Sequence, residues 1–365
     1  MRGESETFDP MVGLAEIADL SQSFGTDCYV RGGGGNTSVK DADTLWVKPS
    51  GTTLAGMTPE GFVALNREKI GVLYATDPPE SADAREALVK DLMQAAVRTG
   101  SAGRPSVEAP LHNVFEARYV VHTHPAYVNG MTCACEGREA CAALFPDALW
   151  VPYIDPGYTL CMQVREEMAT CQAACGRQPE ILVLENHGIF VAGDTAAEIH
   201  ERYAHVMKTL ESAYREANIP LDLASGAVAA CVETESERRL IQRVLGDQAS
   251  VVVPGGCFRV AEGPLTPDHI VYAKSFPFKG ALSETALEAF RREHGYAPRV
   301  IATSRAVYGV GNTQKQAELA LEFARDAAHV VQLAEAFGGV QWMSEKARIF
   351  IENWEVESYR SKVSS

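Results

Sequence analysis

The chain has 365 residues, room for two domains, and its 46% apolar and 22% charged content is that of an ordinary globular protein. A net charge of −15, spread along the chain, argues against non-specific binding to nucleic acid or to an anionic membrane, since both favour a basic face. The N-terminal MRGESETFDP lacks the basic and apolar segments of a signal peptide, and no window offers the ~18 uninterrupted apolar residues of a membrane span, so the cytosol is the expected compartment. The nine cysteines, at 28, 133, 135, 141, 161, 171, 175, 231 and 257, form no Cys-x-x-Cys pair and are expected to be buried thiols.

Residues 11–24 (MVGLAEIADLSQSF) have the apolar spacing of an amphipathic helix. The glycine run Gly32–Gly35 then leads into Asn36-Thr37-Ser38. Short strands are expected over Thr44–Lys48, ended by Pro49-Ser50-Gly51, and over Gly61–Leu65. Residues 84–99 carry Leu88, Leu92 and Ala96 at spacing four, as a helix does, and Ala109–Phe115 suggests another helix. Tyr119–Thr123 is β-branched and aromatic, which predicts a buried strand ending near His124-Pro125. Ile181–Glu185 and Ile189–Ala192 read as two more strands, with Asn186-His187-Gly188 between them. A long helix over roughly 195–217 follows, with Asp194 or Thr195 as its N-cap. The weakly patterned stretch 218–230 suggests a boundary that divides the chain into 1–225 and 226–365. Beyond it come a helix (234–245), strands (250–253 and 299–303) and a long amphipathic helix (313–337). Such alternation implies an α/β or α+β protein with helices covering a sheet.

The sharpest local feature is Val120-Val121-His122-Thr123-His124-Pro125. Residues i and i+2 of a strand point to the same side, so His122 and His124 can aim two imidazoles at one point. Neutral imidazole suits zinc and other late first-row ions. His187, in a turn where Gly188 allows a sharp bend, is the best third ligand, and three histidines leave positions open for catalysis. The competing reading buries Thr123 and leaves both histidines in solvent. His112 is ambiguous, being close to the site if it lies on the helix after Glu108; His200 and His205 read as surface or packing residues.

Glu108 stands between a proline turn and an apolar helix. It is either a helix-terminal acid interacting with the dipole or a general acid/base beside the metal. Gly33-Gly34-Gly35-Asn36-Thr37-Ser38 and Lys48-Pro49-Ser50-Gly51 are two candidate anion-binding turns; neither fits a nucleotide-binding fingerprint.

Taken in order, Gly34-Gly35-Asn36-Thr37-Ser38, Lys48-Pro49-Ser50-Gly51, Met57-Thr58-Pro59, Pro105-Ser106-x-Glu108, His122-Thr123-His124-Pro125 and Asn186-His187-Gly188 resemble the class II aldolase/adducin family over roughly residues 10–217. The later part, with Gly263-Pro264-Leu265-Thr266-Pro267-Asp268-His269, looks like the extension in the aldolase half of bifunctional rhamnulose-1-phosphate aldolase/dehydrogenase proteins. The resemblance implies a three-layer fold with a central sheet covered by helices, plus a smaller C-terminal α/β region. It implies a divalent metal, zinc first and manganese or cobalt as alternatives, on His122, His124 and His187. Glu108 matches the catalytic acid/base; Asn36, Ser50, Gly51 and Ser106, with Lys48 nearby, match the phosphate contacts. Pro105 stands where some relatives have a serine, so one hydroxyl is missing. Tyr153 and Tyr158 lie where some relatives place a tyrosine that protonates the aldehyde across a subunit boundary, and the choice between them stays open. A fourfold homo-oligomer is implied by the family alone.

The implied activity is aldol cleavage of a ketose, foremost a ketose 1-phosphate, to dihydroxyacetone phosphate or a similar ketone and an aldehyde. The alternatives are decarboxylation of a sugar acid or hydroxy acid on the same scaffold, sugar-phosphate epimerisation, and an adducin-like binding role without catalysis. Glu rather than Asp at 108 favours aldolases over the family's epimerases.

Overall fold

The computed structural model describes residues 8–224 and 235–354; the boundary expected at 225/226 lies outside them. In chain order the elements are α1 (Pro10–Phe24), β1 (Asn36–Lys40), β2 (Thr44–Val47), β3 (Val63–Asn66), α2 (Arg67–Gly71), α3 (Ala82–Ala96), α4 (Ala109–Val114) and β4 (Tyr119–Thr123). Then come α5 (Ala126–Thr132), α6 (Gly137–Leu144), β5 (Leu149–Val151), α7 (Tyr158–Cys175), β6 (Ile181–Leu184), β7 (Gly188–Gly193) and α8 (Ala196–Glu216). The remainder is α9 (Glu235–Leu245), β8 (Val251–Pro254), α10 (Pro267–Ala273), β9 (Phe278–Lys279), α11 (Glu284–His294), β10 (Val300–Ala302), β11 (Val307–Gly311), α12 (Gln314–Ala334) and α13 (Glu345–Asn353). Among the described residues these form two compact units, one of 8–125, 142–184 and 188–208, the other of 126–141, 185–187 and the rest. No described helix is long and apolar enough to cross a membrane.

The first unit is a seven-stranded sheet in the order β3-β2-β1-β4-β7-β6-β5, antiparallel throughout except for the β5–β6 pair. β4, in the middle, is buried along its whole length because helices cover both faces. On one face Val120, Leu182, Leu184 and Phe190 pack with Leu111 of α4 and Leu160, Val164 and Met168 of α7. On the other, Tyr119 donates to Glu16 of α1, and Thr123 exchanges a hydrogen bond with Tyr203 of α8. This is the helix–sheet–helix sandwich expected.

The second unit carries a four-stranded sheet, β8-β11-β10-β9, in which only β9 and β10 run parallel. α12 lies directly on β11: a Cβ at Gly309 would come within 2.2 Å of the Ala317 carbonyl oxygen. Ile241 and Leu245 of α9 and Leu287 and Phe290 of α11 pack with Phe278, Ile301, Tyr308 and Val310 of the sheet.

Three expectations need correction. The strand placed over Gly61–Leu65 begins only at Val63, because Pro59–Gly61 forms a 3-10 turn. The helix expected to Phe337 leaves α geometry after Ala334 and finishes as a 3-10 turn before Gly338, which has φ +84°. The cysteines are not uniformly buried thiols. Cys133, Cys141 and Cys161 are, with burial pushing each thiol up to about 12. Cys28, Cys135 and Cys175 are free but exposed and Cys171 is half-buried, whereas Cys257 is disulfide-bonded; position 231 lies outside the described residues.

Candidate metal centre

Strand register builds the site. Asn36 of β1, His122 of β4 and Phe190 of β7 are direct cross-strand partners, so they form one row on the α4 side of the sheet. Thr123 faces the opposite layer, and His122 is completely buried, which removes the reading in which the histidines face solvent. The His122 ring stacks on Phe190 with centroids 3.8 Å apart, and its Nδ1 donates to the Ile189 carbonyl oxygen at 2.9 Å. A proton held on Nδ1 leaves a lone pair on Nε2. His124 follows the end of β4, where its N–H donates to the Tyr29 carbonyl oxygen, and its Nε2 is 2.9 Å from that of His122.

His187 comes from the three-residue connection between β6 and β7, closed by the Leu184–Gly188 pair. Asn186 there adopts φ +51°, a left-handed conformation that Asn tolerates better than most residues. Its side chain donates to the carbonyl oxygens of Leu265 at 3.0 Å and Gln341 at 3.1 Å, and its N–H donates to Thr132 O at 3.0 Å. Gly188 is required by contact: a Cβ would lie 2.5 Å from Thr123 O and 2.7 Å from His124 Cδ2. One ligand atom from each of His122, His124 and His187 lies within 4.8 Å of the others. Two nitrogens each ~2.0–2.1 Å from one ion are about 2.9–3.4 Å apart for octahedral to tetrahedral angles. The His122–His124 pair has that spacing, and the three-histidine cluster could hold a metal ion.

Glu108 is the N-cap residue of α4 but makes no side-chain cap; its own N–H donates to Ser106 Oγ at 3.2 Å. Its buried carboxylate accepts from Asn36 Nδ2 and stands 3.5 Å from His122 Nε2. Two further rungs fix α4 against the same face of β1. Ser38 Oγ bonds His112 Nδ1 at 2.8 Å, and Lys40 Nζ donates to the carbonyls of His112 and Phe115 at 2.7 Å each, closing the end of the helix. Burial pushes the His112 pKa down to about 3, so the ring is neutral. Phe190 thus has His122 against one side and the His112 edge 5.4 Å away. Asn36 Oδ1 is buried without a partner among the described residues.

The turn after β2 runs beside the segment before Glu108. Pro49 bridges Pro105, and Ser50 N–H donates to Arg104 O at 2.9 Å, which brings Ser50, Gly51 and Ser106 into one neighbourhood. Gly51 has φ +86°, a bend suited to glycine. Lys48 is buried, and its ammonium donates to Thr52 O at 2.7 Å. Tyr158 opens α7 with its ring in the core beside Leu45 and Val63, and its hydroxyl donates to Thr76 O at 3.5 Å. Tyr153 is half-buried in the connection between β5 and α7. Ser38, expected in an anion-binding turn, instead bonds His112; their spacings, i+2 from Asn36 on a strand and i+4 from Glu108 on a helix, place both beside the site.

A family model described as the Class II Aldolase and Adducin N-terminal domain matches residues 15–214. The uncharacterized oxidoreductase YuxG of Bacillus subtilis (strain 168) is 24% identical over 412 residues, covering 95% of this chain. The chain spans only 58% of that relative's length. The L-fuculose phosphate aldolase of Methanococcus vannielii is 28% identical over 180 residues, 47% of this chain and 79% of that protein. The N-terminal class II aldolase domain of a conserved Thermoplasma acidophilum protein is a solved structure with 26% identity and a TM-score of 0.48, covering 58% of this chain and 97% of that one.

Proposed function

The chain belongs to the class II aldolase and adducin family, and from that premise we propose that it is a metal-dependent lyase. Its substrate on this reading is a ketose, foremost a ketose 1-phosphate, cut into dihydroxyacetone phosphate or a similar ketone and an aldehyde. The observation that carries the proposal is a buried carboxylate, Glu108, 3.5 Å from a histidine whose lone-pair nitrogen belongs to a three-histidine cluster. A cation there, zinc by the imidazole-only donor set, would stabilise negative charge on the substrate oxygens as the bond between C3 and C4 breaks.

The chain's own residues do the rest. In cleavage the C4 hydroxyl gives its proton to a tyrosine oxygen as it becomes the aldehyde, the electron pair of the broken C3–C4 bond moves toward the C2 carbonyl, and Glu108 delivers a proton to C3; in synthesis both protons move the other way. Asn36 holds the Glu108 carboxylate in place while α4 is pinned to β1 below it. Ser50, Gly51 and Ser106, with Lys48 beside them, would hold the phosphate. Of the two tyrosines, Tyr153 is the better proton donor to the aldehyde oxygen, because the Tyr158 ring is packed in the core. The oligomer we expect is a cytoplasmic homotetramer. We assign residues 226–365 to a C-terminal α/β extension. Pro105 in place of a serine favours one alternative, decarboxylation of an unphosphorylated hydroxy acid.

A screen of ketose 1-phosphates and their unphosphorylated forms, with and without chelator, tests the proposal. Chelator-sensitive aldehyde release is expected. Carbon dioxide release without aldehyde would replace the aldolase reading by the decarboxylase one.

A further inference from the structure

The second unit contains a cavity that the proposed lyase chemistry does not use. It lies beside the C-terminal end of α10, where Lys274 has φ +68° and ψ 162°, a region that glycine alone occupies without strain. The conformation is held from both sides. Lys274 N–H donates to Ile270 O at 3.0 Å, Ser275 Oγ donates to Glu352, and Phe276 N–H donates to the Tyr296 hydroxyl at 3.1 Å. The bend places Lys274 and Ser275 at one end of a cavity of about 30 Å³. Val260, Ala261 and Ala327 give it an apolar wall, and His269, fixed between Thr266 at 2.8 Å and Asp326 at 3.1 Å, gives it a second side. One water needs roughly 10–15 Å³ by the same measure, so the space suits a ligand of a few heavy atoms.

The charge around the polar end is unbalanced. Lys274 is half-buried, its ammonium 5.5 Å from the centre of the Tyr296 ring. Burial, and then the like charge of Arg299, holds its pKa below the usual lysine range, and burial alone lowers that of Arg299. Glu352 is the acid that faces Lys274, and it is already engaged by Arg348 at 2.6 Å and by Ser275. Arg348 also pairs with Glu345 at 3.8 Å, which leaves Lys274 and Arg299 as the cations with no acid of their own among the described ion pairs, and a bound anion would relieve them.

We propose that this cavity binds a short-chain carboxylate, with its carboxylate at Lys274 and its alkyl end against Val260, Ala261 and Ala327. The strained backbone sets Lys274 in the lining of the cavity.

Propionate is the probe, with propionamide as its neutral isostere, inorganic phosphate as the other anion, and sodium chloride at equal ionic strength. Binding is read by saturation-transfer NMR and by thermal melting of the full chain. Propionate is expected to show transfer and raise the melting temperature, and the other three are not. Lys274→Met keeps the strained geometry without the charge and should bind roughly tenfold to a hundredfold more weakly. Lys274→Gly should lose binding yet melt at or above the wild-type temperature, because glycine accepts that backbone freely. An equal shift from propionamide or chloride, binding of phosphate instead of propionate, unchanged binding in both variants, or a lower melting temperature for Lys274→Gly would each overturn the proposal.

Discussion

The Nδ1 of His122 lies 2.9 Å from the carbonyl oxygen of Ile189 on the neighbouring strand, so the ring's second nitrogen is the one offered to a cation. That nitrogen is 2.9 Å from His124 Nε2, closer than two lone pairs sit comfortably without a shared proton or ion. His122→Ala should therefore bring metal content well below one equivalent, and His124→Ala and His187→Ala should do the same. Elemental analysis of the purified variants is the check. Full occupancy in His122→Ala would remove it from the ligand set.

Glu108→Gln should separate chemistry from binding. A glutamine can still accept from Asn36 Nδ2, so α4 and the metal content should be unchanged. Loss of the proton-transferring group should lower turnover by roughly 10²–10⁴-fold. Steady-state kinetics beside a metal assay tests this, and full turnover would eliminate Glu108 as the acid/base.

Gly188→Ala should damage the fold and the site together. The added methyl would come within 2.5 Å of a backbone oxygen, Thr123 O, which cannot swing aside as a flexible side chain can. Overpacking of this kind costs about 1–3 kcal/mol. Urea denaturation should show the loss, with metal content falling because His124 Cδ2 is only 2.7 Å from the same methyl.

His112 should make the protein acid-sensitive over a defined window. The folded ring has its pKa pushed down to about 3 by burial, whereas an unfolded histidine titrates near ~6.5. As pH falls between those values the unfolded chain takes up a proton that the folded chain refuses. Stability is then lost progressively, at up to about 1.4 kcal/mol per pH unit. His112→Gln cannot be protonated, so its stability should fall less steeply across this window. Denaturant unfolding at a series of pH values is the measurement, and parallel curves for the two proteins would contradict the assignment.

Local pattern exposed much of the first unit. Tyr119–Thr123 is a strand with the bounds expected, and His122 and His124 do converge as i and i+2 residues should. The partner surfaces were harder to read. β1 is Asn36–Lys40, a polar sequence that pattern alone would assign to a loop. It becomes a buried strand because Asn36, Ser38 and Lys40 are satisfied by Glu108, His112 and the end of α4, far away in sequence. α7 was not anticipated because its buried stripe, Tyr158, Cys161, Val164 and Met168, is diluted by polar neighbours and contains few strongly apolar residues. Strand order was beyond reach for a similar reason. β5 sits at the sheet edge as the parallel partner of β6, a pairing set by the crossover through α7 rather than by either strand's own residues.

The left-handed bend at Asn186 has a consequence for how far the chain can be trimmed. The amide that steadies it reaches carbonyls 79 and 155 positions further along, well past the stretch shared with the family, which ends at residue 214. A fragment cut at that point would keep the three clustered imidazoles but forfeit both anchors of the loop that carries one of them. The later third of the polypeptide therefore acts as a buttress for an imidazole it does not itself supply.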